Sequence, residues 1–185
     1  MLTLGIDPGT AATGFGLVRQ QGGKLSYVSC GCVSTSPKET SQGRLAKIYA
    51  ELKKLILDYK PDSVAVERLY FGENSKTAMA VGQARGMALL AAAEGKVPVS
   101  EYTPLEVKMA LTGYGRAEKK QIQQMVRILL KLADVPKPDD AADALAVAIC
   151  HLHSYKLSRV TSLPAPAPYG AGPAGQAGHE LPVEI

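Results

Sequence analysis

At 185 residues, with a formal net charge of +4, 46% hydrophobic and 21% charged residues, the chain reads as one globular domain able to bury a proper core. No basic segment leads into a long apolar run at the N-terminus, and no apolar run is long enough to span a bilayer. Neither a secretory leader nor membrane contact is therefore expected, and the chain is placed in the cytoplasm.

The run Thr3-Leu-Gly-Ile-Asp-Pro-Gly-Thr10 predicts a short buried strand with Leu4 and Ile6 on one face, broken just after Asp7 by Pro8 and Gly9. Asp7 is thereby left at the end of a central strand. Gly14 to Arg19 predicts a second strand and Leu25 to Val33 a third, joined by a hairpin turn at Gly22-Gly23. Cys30 and Cys32 fall two apart in the third strand, so they share a face and are badly placed for a local disulfide. With Cys150 they make an odd number, and reduced thiols are expected. After a polar loop from Ser34 to Gln42, the residues Leu45, Ile48, Tyr49, Leu52, Leu55, Ile56 and Tyr59 recur at helical spacing, and Lys60-Pro61 closes that helix.

Ser63-Val-Ala-Val-Glu67 predicts a fourth strand, which again finishes on an acid. The following loop, Arg68 to Ser75, carries Tyr70 and Phe71. Exposed aromatics there suit stacking on an unpaired base, with packing of Phe71 into the core as the alternative. A small-residue helix is expected from Lys76 to Glu94, with Gly82 and Gly86 four apart. Such a surface allows close approach of a second copy about a two-fold axis, or of the chain's own sheet.

Val97 to Ser100 predicts a fifth strand. Thr103-Pro104-Leu105-Glu106 has the pattern of a capping box with proline at the first helical position, opening a helix that stops at Gly113. Ile122, Met125, Val126, Leu129 and Leu132 mark an amphipathic helix, and a last helix runs from near Asp139 to about Tyr155. Cys150, His151 and His153 point apart on that helix and are not read as metal ligands.

Residues 158–185 are rich in Pro, Ala and Gly without a period and are expected to form a disordered tail, leaving 1–157 as the folded domain. Arg159, Glu180 and Glu184 are the tail's formally charged residues. Of the chain's 21 basic and 17 acidic residues, 20 and 15 therefore lie in the body, a balance that permits a polyanionic partner. A three-strand meander followed by alternating helices and strands predicts an α/β fold, a mixed five-stranded sheet flanked by helices.

Asp7 and Glu67 end strands, and Asp140 and Asp143 lie three apart at the start of the last helix, on one face of it. Asp139 beside them is better placed as an N-cap than as a ligand. Singly, an aspartate after a strand forms turns and first-turn acids complement the helix dipole. Together they say more. If strands one and four are parallel neighbours, Asp7 and Glu67 share the sheet end where ligands of such sheets bind. Four carboxylates converging there repel by about 4 kcal/mol per close pair at an intermediate dielectric, and divalent cations relieve that repulsion. Hard oxygen donors without paired His or Cys point to magnesium or manganese rather than zinc.

The segments Gly5-Ile-Asp-Pro-Gly-Thr10, Ala65-Val-Glu67, Gly82-Gln-Ala-Arg-Gly86 and Asp140-Ala-Ala-Asp-Ala-Leu-Ala146 resemble, in order and spacing over residues 1–157, the RuvC family of bacterial Holliday junction resolvases. The resemblance implies a ribonuclease-H-like fold and a homodimer that resolves four-way junction DNA by paired symmetric nicks, in homologous recombination and DNA repair. It implies that Asp7, Glu67, Asp140 and Asp143 hold divalent metal, two Mg2+ ions per site with Mn2+ able to substitute. It places Lys108 and Lys119 near the cleaved phosphate and a junction-wedging aromatic at Tyr70, with Phe71 as the alternative. It also implies the branch-migration proteins RuvA and RuvB as partners. Arg116, Lys120 and Arg127 are expected as general contacts to the DNA backbone.

The Asp-Pro-Gly-Thr turn also resembles the first phosphate loop of actin-like kinases, but those need a second domain and a second phosphate loop, for which 185 residues leave no room. A non-cutting DNA-binding module gains nothing from four acids facing phosphates. A nuclease acting on RNA in a hybrid would lack junction preference and depend on a strand bearing 2′-hydroxyls.

Overall fold

In the computed structural model, which describes residues 1–68 and 75–161, the N-terminal meander consists of β1 (Leu2–Asp7), β2 (Ala12–Gln21) and β3 (Lys24–Ser34), paired antiparallel. β2 and β3 run longer than expected because their polar ends continue the ladder, with Gln20 opposite Leu25 and Gln21 opposite Lys24. α1 (Ser41–Tyr59) follows. The Thr40 side chain accepts from Gly43 N at its start, and a left-handed Lys60 closes its end. The chain then returns as β4 (Ser63–Glu67), parallel to β1.

After α2 (Ser75–Glu94), β5 (Val99–Tyr102) adds parallel to β4 and completes a five-stranded sheet of order β3-β2-β1-β4-β5. β5 starts two residues later than expected. Val97 N is taken by Ala92 O at the end of α2, and Val64 N bonds to Pro98 O, so the ladder opens only beyond them. α3 (Pro104–Thr112), α4 (Lys119–Leu129) and α5 (Asp139–Thr161) follow, the last described six residues past Tyr155.

Strand alternation divides the core in two. Leu4, Ile6, Val64 and Val66 face α1 and α2, where Ile48, Leu52, Ile56, Ala84, Ala88 and Ala91 meet them. On the opposite side Ala65 joins residues of α3, α4 and α5, among them Val107, Val126, Leu145 and Ile149. α5 lies against β1 so closely that a Cβ at Gly5 would stand 2.1 Å from Ala144 O, so the strand must be bare there. The three cysteines are free, as expected, and among the described residues no helix is long and apolar enough to cross a membrane.

Candidate active site

Sheet register sets the site. Ile6 pairs with Val66, so Asp7 and Glu67 are the next residues of adjacent parallel strands, and alternation sends both toward α5. Their carboxyls share a hydrogen bond. Burial raises Asp7 to about 6, helped by the negative charges of Asp143 and Asp140. Burial also raises Glu67 to about 8, followed by the charge of Asp7 and the shared hydrogen bond, while the Lys108 ammonium pulls the other way. Two full charges on this coupled pair are therefore disfavoured, and the pair is driven toward sharing a proton.

The other two acids arrive on α5. Gly14 lies opposite Asp7 on β2, and a Cβ there would stand 2.0 Å from Asp140 O, so the bare strand lets the first turn of the helix settle beside Asp7. Asp143, one turn on, is raised by burial against the opposing pull of Lys119.

The cations arrive on α3 and α4. The expected capping box forms at α3: Thr103 Oγ1 accepts from Glu106 N at 3.2 Å, and Thr103 N donates to the Glu106 carboxylate at 2.7 Å. With Val107 and Leu111 buried, the adjacent Lys108 lines the same cavity as the acids and acts on Glu67 through its charge. α4 opens on Lys119, whose Nζ lies 2.9 Å from Asp143 Oδ2 and 3.5 Å from Asp139 Oδ2, and the ion pair raises the lysine. Asp139, expected as the N-cap, is instead the first residue of α5, with its carboxylate toward Lys119. Asp7, Glu67, Asp143, Lys108 and Lys119 line one cavity of about 200 Å³, walled otherwise by Pro104, Val107, Ile122 and Ala146.

Asp140 stands outside the cavity lining but within electrostatic reach of Asp7. Among the described residues no three His, Cys, Asp or Glu side chains converge as a closed ligand set; Glu67 is bonded to Asp7, and Asp143 to Lys119. Lys120 lines a neighbouring groove with Thr112 and Tyr114, Arg116 is exposed in the turn before α4, and Arg127 donates to Gln124 Oε1 at 3.0 Å. Tyr70 and Phe71 lie outside the described residues.

Two supporting residues were not singled out from the sequence. Gly14 is one; a glycine inside a strand is the signal that could have found it. Glu101 on β5 is the other. It pairs with Arg85 of α2 and lies 3.9 Å from Nε of Arg68, the residue after Glu67, and no local pattern announces such a long-range bridge.

A five-stranded mixed sheet with acids at the ends of two central parallel strands, and more acids on the helix that crosses them, defines a ribonuclease-H-like nuclease. The family model for crossover junction endodeoxyribonuclease RuvC matches residues 3–151. The crossover junction endodeoxyribonuclease RuvC of Syntrophomonas wolfei is 55% identical over 158 residues, covering 85% of this chain and 92% of that protein. That of Heliobacterium modesticaldum is 57% identical over 155 residues, covering 83% and 95%. The solved structure of Thermus thermophilus RuvC in complex with Holliday junction substrate superposes with a TM-score of 0.82 at 38% identity, over 85% of this chain and 96% of that one. The chain belongs to the RuvC family, and its activity is that of a crossover junction endodeoxyribonuclease.

Proposed function

We propose that Asp7, Glu67, Asp140 and Asp143 hold a pair of Mg2+ ions, for which Mn2+ can substitute, and that Lys108 and Lys119 bind the scissile phosphate of a four-way DNA junction. The observation that carries this is the in-register Asp7–Glu67 pair, raised first by burial, with Asp7 raised further by the acids of α5 and Glu67 by the charge of Asp7. The donor set fits a hard divalent cation: oxygen ligands only, and carboxyls driven to hold a proton because nothing else at the site neutralises them all. Bound there, divalent metal supplies activation of a water and charge relief at the leaving 3′ oxygen. The chain's own groups do the positioning. Lys108 reaches the cavity beside Glu67, Lys119 spans from the rim to Asp143, and the apolar wall of Val107, Ile122 and Ala146 limits water around them.

The same reading makes the active unit a homodimer that nicks two opposed strands symmetrically. Supporting it, α2 turns Ala84, Ala88, Ala91 and Ala92 into the core, while a Cβ at Gly86 would meet nothing within 4 Å, leaving a low outward surface for a partner helix. Lys120, Arg116 and Arg127 serve as backbone contacts, Tyr70 or Phe71 as the stacking aromatic, and residues 158–185 as a tail outside the nuclease domain. The protein acts on cytoplasmic DNA in recombination and repair, beside RuvA and RuvB.

The test is a magnesium-dependent cleavage assay comparing an immobile four-way junction, linear duplex and an RNA–DNA hybrid, with wild type and Asp7→Asn. Paired symmetric nicks in the junction alone, lost in the variant, are expected. Cutting of the hybrid instead would move the substrate, and tight junction binding without any cutting would remove the chemistry.

A further inference from the structure

Lys119 is the first residue of α4 and its side chain is about half exposed, at 54%, yet its ammonium rests 2.9 Å from a carboxylate oxygen of Asp143, which is only 29% exposed. A second oxygen, from the more open Asp139, lies at 3.5 Å. Lysine carries a compact charge on a flexible stem, so it can neutralise an acid from the rim and leave again without disturbing the fold. Among the described residues the other acids of the cavity have no such partner: Glu67 is bonded to Asp7, and Lys108 acts on Glu67 only at a distance. The one close ion pair among the described residues of the cavity therefore sits on a carboxylate that the metal reading assigns to the cation. A divalent cation and the Lys119 ammonium both held on Asp143 Oδ2 would repel strongly.

We propose that Lys119 is an internal counterion that competes with the divalent cation for Asp143 in the free protein and must swing away before metal is held there. This rests on the metal reading given under Proposed function. The released ammonium is then free to meet the scissile phosphate, so the residue that restrains metal loading is the one that engages substrate. A divalent ion bound without DNA is correspondingly weak, because its binding must break the Lys119–Asp143 pair.

The experiment is a titration with Mn2+ without DNA at one fixed, mildly alkaline pH, reading the free ion by electron paramagnetic resonance. Wild type is compared with Lys119→Met, Lys119→Arg, Asp7→Asn and, on the exposed face of α1, Lys47→Met. Lys119→Met should bind Mn2+ about three- to tenfold more tightly than wild type. Lys119→Arg, which keeps the charge, should bind no more tightly than wild type, and Lys47→Met should match wild type. If Lys119→Met binds as wild type does or more weakly while Asp7→Asn loses the ion, the metal site stands and the competition is refuted. Equal tightening in Lys47→Met would make the effect one of bulk charge and also refute it. If no form binds Mn2+, the metal reading fails and takes this inference with it. The thermal melt of each variant establishes that the compared chains are folded.

Discussion

Gly14 lies opposite Asp7 in the sheet and directly beneath Asp140: a methyl group at position 14 would stand 2.0 Å from the main-chain oxygen of Asp140 and 3.1 Å from its Cβ. The first turn of α5 settles beside Asp7 because this strand position is bare, as Gly5 and Gly16 are beneath later turns of the helix. Gly14→Ala must push the first turn of α5 outward, since the clash is with backbone and no side chain can turn aside. The expected cost is about 1–3 kcal/mol of stability. Loss of cleavage should exceed what that destabilisation accounts for at a temperature where the variant is still folded. Circular dichroism melts beside single-turnover cleavage check both.

Asp7→Asn keeps the size and the hydrogen-bonding capacity of the side chain while removing its charge. Cleavage should fall by at least about 10²–10³-fold, the scale of losing one preorganised electrostatic group. Junction affinity should hold or rise, because a negative charge facing phosphate is gone. Gel-shift titration of an immobile junction, run in parallel with cleavage, tests the pair of outcomes. Normal cutting by the variant would refute the assignment of Asp7.

The raised carboxyls make a prediction about the metal-free protein. Glu67 titrates near 4.5 when unfolded and near 8 when folded, and Asp7 moves from 3.8 to about 6. Between those values the folded state binds more protons than the unfolded one, so unfolding free energy falls as pH rises through that window. Asp143 contributes with the same sign. In chelator, the melting temperature should therefore rise as pH is lowered from about 9 to about 6, by about 2–4 °C for each kcal/mol recovered. Glu67→Gln should raise the melting temperature at the alkaline end and flatten this slope. Scanning calorimetry across the window measures it, and a wild-type slope of the opposite sign would contradict the buried, mutually repelling pair.

Much of this arrangement was legible in the sequence, and the reasons are local. The capping box at Thr103 and Glu106, the stop at Gly113, and the strand ending on Glu67 each depend on a few neighbouring residues, and each stands where the pattern put it. The pairing of β1 with β4 followed from the crossover rule rather than from any one residue. What could not be read was contact between distant elements. Glu101 meets Arg85 and Arg68 across three segments, and Asp139, the first residue of α5 rather than the one before it, turns to Lys119. The start of β5 slid because Val97 N was already taken by the end of α2, a competition decided only once the chain is folded.

Junction binding should weaken steeply with salt. On the proposed reading, Lys108 and Lys119 in the cavity and Arg116, Lys120 and Arg127 around it contact phosphate, and binding then displaces condensed counterions. Affinity measured by anisotropy should drop at least about tenfold between ~50 and ~200 mM salt. Lys120→Met should reduce the slope by about one while weakening all DNA alike. A flat salt response would remove the backbone contacts from the account.

The C-terminal segment gives the last prediction. The family match ends at residue 151, the last described contacts of α5 with the core come from Cys150, Leu152 and their neighbours, and the sequence beyond is dominated by Pro, Ala and Gly. Nothing in that composition supplies an apolar face to pack or a run of charge to hold DNA. A chain truncated after Thr161 keeps the whole of the described helix and all four acids. It should melt within about 1 °C of the full chain, because the sequence removed has no apolar period with which to pack on a core. Cleavage of a bare junction should be unchanged within about twofold. A larger loss of cleavage with the melt unaltered would mean that residues beyond 161 touch the substrate or the partner copy. A lowered melt would mean that they cover part of the domain.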